Sequence, residues 1–464
     1  MKRILFPAGG DTLRATDMTK GKPSRLILAF ALPMMLGNIC QQLYTVVDGA
    51  FVGRFAGIDA LAAVGAADWL CWLFLGVVMG YTQGFSVLIS QRFGARDEAG
   101  LRRAAALSAG LTALIAVAVI ALSQSLMVPI LRLLGTPEDI FPQAVLYLRI
   151  IMCGVPIYAA YNVQAAMLRA VGDSKTPLVA MLIASGVNIA LDGLFVIAFH
   201  WSVAGAAAAT LIAQGSAAVY CFSLVRRMPA LRFGRGDLKW DGALARRLMY
   251  LGSPMAAQNV IIGLGSMVVQ RAINGCGSIF IAGFTATNKL YGMMEMAAVS
   301  YGGAIAAYAG QNYGAGKKER LKNGVRAGVL MALVTSFAIA LILFLSGRAV
   351  LSLFVDPEAA RKEEVLSVAL RYLHIMLGGL FTLYLLYVYR SALQGMGDTV
   401  TPMLSGGAEM VMRISAALLL PLWLGQNGIF FAEPAAWAGA EVLLMVTYYH
   451  KIRKLSFSNE IPFL

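Results

Sequence analysis

The sequence predicts an all-α polytopic membrane protein of twelve transmembrane helices in two pseudo-symmetric six-helix lobes, and three observations carry that expectation. Of its 464 residues, 59% are hydrophobic and only 13% are charged, against about a quarter charged in ordinary soluble domains. Apolar stretches long enough to cross a hydrocarbon core of about 30 Å alternate with short polar ones. Motifs of the first half recur in the second at a nearly fixed offset. Membrane β-strands would be shorter and alternating, so the stretches read as helices.

In order, the spans fall near residues 26–50, 58–84, 105–128, 142–168, 177–199, 203–225, 247–273, 279–308, 326–350, 366–389, 402–424 and 432–450. The formal charge of +14 raises the possibility of nucleic acid, but the placement of the bases answers it. The segment before the first span, the second and eighth loops (Arg92 to Arg103, Lys317 to Arg326), the central loop (Arg226 to Arg247), and Arg169, Lys175, Arg390, Lys451, Arg453 and Lys454 put 28 of 38 basic residues on one side. The opposite loops, such as HWSVAG and NGCGSIF, are poor in charge. Both termini are therefore expected in the cytoplasm, around a plasma (inner) membrane protein with no nucleic-acid partner. The expected division is a cytoplasmic tail at 1–25, a first lobe at 26–225, a linker at 226–246, a second lobe at 247–450 and a tail at 451–464. The opening MKRILFPAGGD has too short an apolar run for a secretory signal; it reads as a floppy tail, and Met18 offers an alternative start. Cys40, Cys71, Cys153, Cys221 and Cys276 show no paired spacing, which predicts buried thiols rather than disulfides or metal ligands.

The repeat is specific. QRFGAR at Gln91 and QNYGAG at Gln311 stand 220 residues apart, as do TPED at Thr136 and DPEA at Asp356. YLRI at Tyr147 and YLHI at Tyr372, like AVGDSKTP at Ala170 and GMGDTVTP at Gly395, are offset by 225. Recurrence after an even number of spans makes the repeats parallel, with a cleft between them as the natural substrate site. In GD-x-x-TP, Gly supplies a turn, Asp accepts backbone amides, Thr caps and Pro occupies the first helical turn.

Taken in order, VDGAFVGRFAG from Val47, QRFGAR, AVGDSKTP, QNYGAG and GMGDTVTP resemble the multidrug and toxic compound extrusion (MATE) family, over nearly the whole chain from Thr19 to Lys454. The resemblance implies two six-helix lobes around a V-shaped cavity and cation-coupled export of organic compounds.

Inside the fifth span, Asn188 and Asp192 are four residues apart and so share a helix face. An ionised carboxylate mid-membrane costs roughly 2.5–3.5 kcal/mol on insertion scales, so Asp192 needs a partner, a proton or a function. Asp48, with Tyr44 one turn earlier, lies near the outer end of the first span, and Thr210 lies in the sixth. Transporters of the family resembled build a cation site from an acid in the first helix, an Asn and an Asp one turn apart in the fifth and a Thr in the sixth; Asp48, Asn188, Asp192 and Thr210 match position by position, and Pro33 matches the bending proline of the first helix. Two carboxylates in a low dielectric share a proton or a cation. Neutral oxygens nearby suit Na+ as well as a protonated acid, so both coupling ions stay open. The plainer reading makes Asp192 packing glue, bonded to Asn188 or to another helix.

The second half does not copy this cluster. Glu409 and Arg413 form an i,i+4 pair, read either as a structural ion pair or as a gating element. Following Pro254, only Gln258 and Asn259 are polar, which puts a cation site in that lobe in doubt. Glu295 can attract a cationic cargo, while Lys289 lies off its face. Gln41, Tyr161, Asn162, Gln164 and Gln258, with Met293, Met294 and Met296, are expected to line an adaptable cavity.

A phosphate loop is missing: GQNYGAGKKER lacks both the leading Gly and the Ser or Thr for magnesium. His200, His374 and His450 are too scattered for a metal motif, and neither HExxH nor GxSxG occurs, which disfavours an intramembrane enzyme. A lipid-linked saccharide flippase of the same superfamily, whose cavities tend to be basic, is the closer alternative, weakened because Asp48, Asp192 and Glu295 promise a mainly acidic cavity, with Lys289 and Arg413 as exceptions. A channel fits asymmetric halves and a buried acid pair less well than alternating access does. The expectation is a monomeric secondary exporter, with no cofactor, that exchanges organic, cationic, amphipathic small molecules for Na+ or H+.

Overall fold

The computed structural model describes residues 15–354 and 361–455; the DPEA repeat at Asp356 lies outside them. The described chain is helical: α1 Pro23–Phe51, α2 Ile58–Gly94, α3 Glu98–Leu133, α4 Phe141–Cys153, α5 Val155–Ala170, α6 Lys175–Asp192, α7 Ser202–Arg227, α8 Gly242–Asn274, α9 Ser278–Gly314, α10 Lys318–Ser352, α11 Lys362–Gly395, α12 Val400–Leu419, the single turn α13 Pro421–Leu424 and α14 Ala432–Lys454. Eight helical stretches are long and apolar enough to cross a membrane on length and composition, nine with α4–α5 taken as one bent span.

Several helices outrun their apolar windows. The second span was expected to end at 84, yet α2 continues to Gly94, making 37 residues and about 55 Å of rod. Hydropathy marks where apolar side chains stop, while the backbone hydrogen bonds simply continue. The fourth span is bent by 48° between α4 and α5. Pro156 in the first turn of α5 cannot donate to the preceding turn, and a Cβ at Gly154 would overlap Leu211. The eleventh span stops at Leu419 because Pro421 starts a new turn.

The GD-x-x-TP motifs start α6 and α12 with one correction: Asp, not Thr, does the capping. Gly172 and Gly397 take φ of +86° and +89°. Asp173 accepts from the amides of Lys175 and Thr176 and from the Thr176 hydroxyl. Asp398 likewise accepts from the Thr401 amide and hydroxyl.

The first lobe (α1–α7) has an inner and an outer apolar cluster. A larger cluster fills the second lobe and takes in Ile27, Phe30 and Ala31 of α1. The lobes meet chiefly through α2 against α8, where small residues permit close crossing. At the end that carries the basic loops, the repeat motifs interlock: a Cβ at Gly94 would overlap Gln311, and one at Gly314 would overlap Gln91. Gln91 Nε2 donates to the Gly395 carbonyl (2.9 Å), and Gln311 Nε2 donates to the Ala170 carbonyl (3.0 Å). Each lobe's Gln thus holds the other lobe's GD-x-x-TP turn.

The floppy-tail expectation for MKRILFPAGGD falls on residues 1–11, outside those described. Residues 15–22 form a strap across both lobes. The Thr16 amide donates to Val171 of the first lobe. The fully buried Met18 donates its amide to Gln311 Oε1 (2.8 Å), and its carbonyl accepts from Asn312 and Arg320 of the second. The linker between α7 and α8 is docked as well, with Met228 and Leu231 buried in the first-lobe core. Of the five cysteines, all free, only Cys221 is buried and Cys153 is exposed, because an apolar helix in a bilayer turns half its face outward.

Candidate functional site

A cavity of about 770 Å³ lies between the lobes, lined by α1, α2 and α5–α7 on one side and by α8, α9, α11, α12 and α14 on the other. Its aromatic walls include Trp69, Trp72, Tyr158 and Tyr161 opposite Tyr291, Tyr387 and Trp437.

On the first-lobe side, α1 and α6 each loosen into an i→i+5 turn directly after an acid: Val52–Ala56 follows Asp48 within one turn, and Gly193–Ala198 follows Asp192 immediately. Such turns recur at functional positions, and these two pack on each other. They bring the Asp48 and Asp192 carboxyl groups within hydrogen-bonding range. As two carboxylates, neither can donate to the other. Asp192 is 0% exposed with both oxygens lacking a hydrogen-bond partner among the described residues, and Asn188, at 1%, lacks partners there for both its amide oxygen and nitrogen. Asp48 Oδ1 is orphaned too. Unsatisfied buried groups at this density are rare in native proteins and call for an absent ligand or proton. Tyr44 stands within electrostatic range of both acids. Tyr44, Asn188 and Thr210 line the cavity, whereas Asp48 and Asp192 are not among its lining residues. Among the described contacts, no hydrogen bond joins Thr210 to either acid. The donor set of two carboxylates, an amide and hydroxyls fits a hard monovalent cation or a proton.

On the second-lobe side, the expected Glu409–Arg413 pair is the middle of a longer chain. Arg390 Nη2 donates to Glu409 Oε2 (2.7 Å), Arg413 Nη2 donates to Glu409 Oε1 (2.9 Å) and Glu433 Oε2 (2.8 Å), and Arg413 Nη1 donates to Ser266 (3.0 Å). Arg413 is only 4% exposed. Nearby, the Tyr387 hydroxyl donates to Glu295 Oε1 (2.8 Å).

Pro33, Gln41, Tyr161, Asn162, Gln258 and Glu295 line the cavity as well. Gln164 and Met293 do not. Each lies two residues, about 200° of helix, from a lining residue, which turns it to the opposite face; Met293 is 44% exposed there and Met294 is buried in the core. Met34, Met79, Met181 and Met255 supply the soft surface instead. Lys289 is exposed away from the site. The expectation of a mainly acidic cavity also changes: Arg169, Arg390 and Arg413 line it alongside Glu295, Glu409 and Glu433. Arg169 and Arg390 read in the sequence as topology bases and Glu433 as a span end, so only their position near apolar runs hinted at an inward role. Asp68 of α2, within electrostatic range of Asp48, was missed in the same way.

Fold and site together define a multi-pass membrane transporter with two lobes around a central cavity. The MatE family model matches residues 33–194 and 254–419. The probable multidrug resistance protein YoeA of Bacillus subtilis is 29% identical over 452 residues, covering 94% of this chain and 96% of that one. The probable multidrug resistance protein YpnP of the same organism is 30% identical over 423 residues, covering 90% and 93%. A solved MOP superfamily transporter of Pyrococcus furiosus superposes with a TM-score of 0.90 at 22% identity, covering 97% and 100%. The chain belongs to the MATE family of multidrug efflux transporters.

Proposed function

We propose that the protein exports organic amphipathic small molecules in exchange for Na+ or H+ that binds between Asp48 and Asp192. The observation that carries this reading is the orphaned, fully buried Asp192 carboxylate facing Asp48, which a cation or proton would complete with Asn188, Thr210 and Tyr44. Neutralising the pair removes the repulsion between α1 and α6 and lets α1 bend near Pro33, which lines the cavity. The interlocked basic end is then the cytoplasmic gate, with both termini on that side, and the conformation described is closed to the cytoplasm. Alternation requires the Gln91 and Gln311 contacts to part. Glu295 offers a cationic cargo its counter-charge among aromatic walls. No resident cofactor takes part, and the transporter works as a monomer.

The test is efflux of ethidium from proteoliposomes under a sodium gradient or a pH gradient, imposed separately. One gradient alone should drive it and so name the ion; efflux that ignores both would refute cation coupling.

A further inference from the structure

A second cavity, of about 420 Å³, opens on the second lobe at the end that carries the basic loops. Helices α10 and α14 both pack on α11 but scarcely touch each other, which leaves a groove with Tyr389 of α11 in its lining. Lys318, Lys322 and Arg326 stand four residues apart and so form one stripe along the α10 wall, and Arg453 stands on the α14 wall. The walls are close, since Lys318 Nζ donates to the Arg453 carbonyl (3.3 Å). Glu319, the one acid among the described lining residues, lies 3.9 Å from Lys322, so positive charge is in surplus. Tyr448 of α14, within electrostatic range of Arg326, is 2% exposed, and its hydroxyl has no hydrogen-bond partner among the described residues. A base that only marks topology is solvated, whereas these converge on a cavity with an orphaned buried hydroxyl, which calls for an absent ligand. Bases and a hydroxyl able to donate suit an anion. Toward mid-membrane the same groove turns apolar: α10 exposes Leu330, Val334 and Phe337, and α14 exposes Val446 and Val442.

We infer that this groove binds an acidic phospholipid of the leaflet at the basic end. Its phosphate neutralises the surplus charge and takes the hydrogen bond of the Tyr448 hydroxyl, while its acyl chains run down the apolar seam between α10 and α14. Basic pockets between membrane helices hold anionic headgroups in this way, and the seam selects a lipid over a free phosphate. The site is separate from the central cavity and does not depend on the exporter reading. It adjoins the closed end: Lys317 and Arg320, where α10 begins, hold the carbonyls of Thr19 and Gly21 in the strap, so a bound headgroup ties that start of α10 to the end of α14.

The test titrates the full chain in detergent micelles with fluorescently tagged phosphatidylglycerol and with tagged phosphatidylcholine, which has the same chains but no net charge, and reads anisotropy. The wild type should bind phosphatidylglycerol about tenfold more tightly. Excess glycerol phosphate, which lacks the chains, should not displace it. Tyr448→Phe removes only an orphaned hydroxyl, so its melt should not fall, yet phosphatidylglycerol should bind about threefold more weakly with phosphatidylcholine unchanged. Arg326→Gln with Arg453→Gln should cut the preference to about twofold. Arg226→Gln with Arg227→Gln, the same charge loss at the basic end of the first lobe, should keep it whole. A wild-type preference below about twofold, an equal drop in both double variants, or unaltered phosphatidylglycerol binding in Tyr448→Phe would overturn the inference. Displacement by glycerol phosphate would also overturn it and assign the groove to a soluble anion. Binding is read without any gradient, so failure here leaves the exporter reading standing.

Discussion

Asp192 has no hydrogen-bond donor for either oxygen among the described residues and is 0% exposed, so its charge is a liability in the folded state unless something binds it. Replacing it by Asn removes that liability, and Asp192→Asn should leave the apparent Tm equal or higher in a detergent melt while gradient-driven dye efflux drops to the level of empty vesicles. Glu409 is the opposite case. It accepts from both Arg390 and Arg413 at 6% exposure, so Glu409→Ala strands the buried Arg390 and leaves Arg413 to Glu433 and Ser266. A loss of about 3–5 kcal/mol follows from breaking a buried pair by removing one partner, seen as a melt several degrees lower, with Glu409→Gln milder because it still accepts. At this scale Asp48, Asn188 and Asp192 were legible, since polar groups stand out in an apolar run. Arg390 and Glu433 were not, because their partnership exists only once α11, α12 and α14 pack together, and Arg169 was hidden by lying near a helix end where a base ordinarily marks topology.

On the proposed mechanism, the elements carry the conformational change. Gln311 joins three segments: its amide nitrogen holds Ala170 of the first lobe, its oxygen accepts from Met18 of the strap, and its backbone meets Gly94. Gln311→Ala leaves a buried amide and a buried carbonyl unpaired, at about 1–3 kcal/mol each. The expected outcome is a shift of at least about tenfold toward the form open at the basic end, measured as a longer distance between spin labels placed on the two lobes there. An unchanged distance distribution would show that the interlock is not the gate. The repeated QxxG and GD-x-x-TP motifs announced equivalence in the sequence, but not that each clasps the other's copy. Periodicity within a helix cannot report contact between helices that lie some 80 to 300 residues apart. The loosened turns after Asp48 and Asp192 were equally invisible, since no residue type dictates an i→i+5 turn.

For the whole molecule, the two-lobe plan was readable from the offsets of 220 and 225 residues, while the crossing of α1 was not. Its first turns pack in the second lobe's core, and its last turns hold Asp48 against α6. That helix therefore links the acid pair to the lobe interface, and on the proposed mechanism the pair's charge state decides whether the lobes stay closed at the basic end. The most direct test of this account measures dye binding and gradient-driven dye efflux side by side for the wild type and Asp192→Asn. The account predicts that the variant still binds the dye but no longer responds to either a sodium or a pH gradient. Undiminished gradient-driven efflux by Asp192→Asn would contradict it.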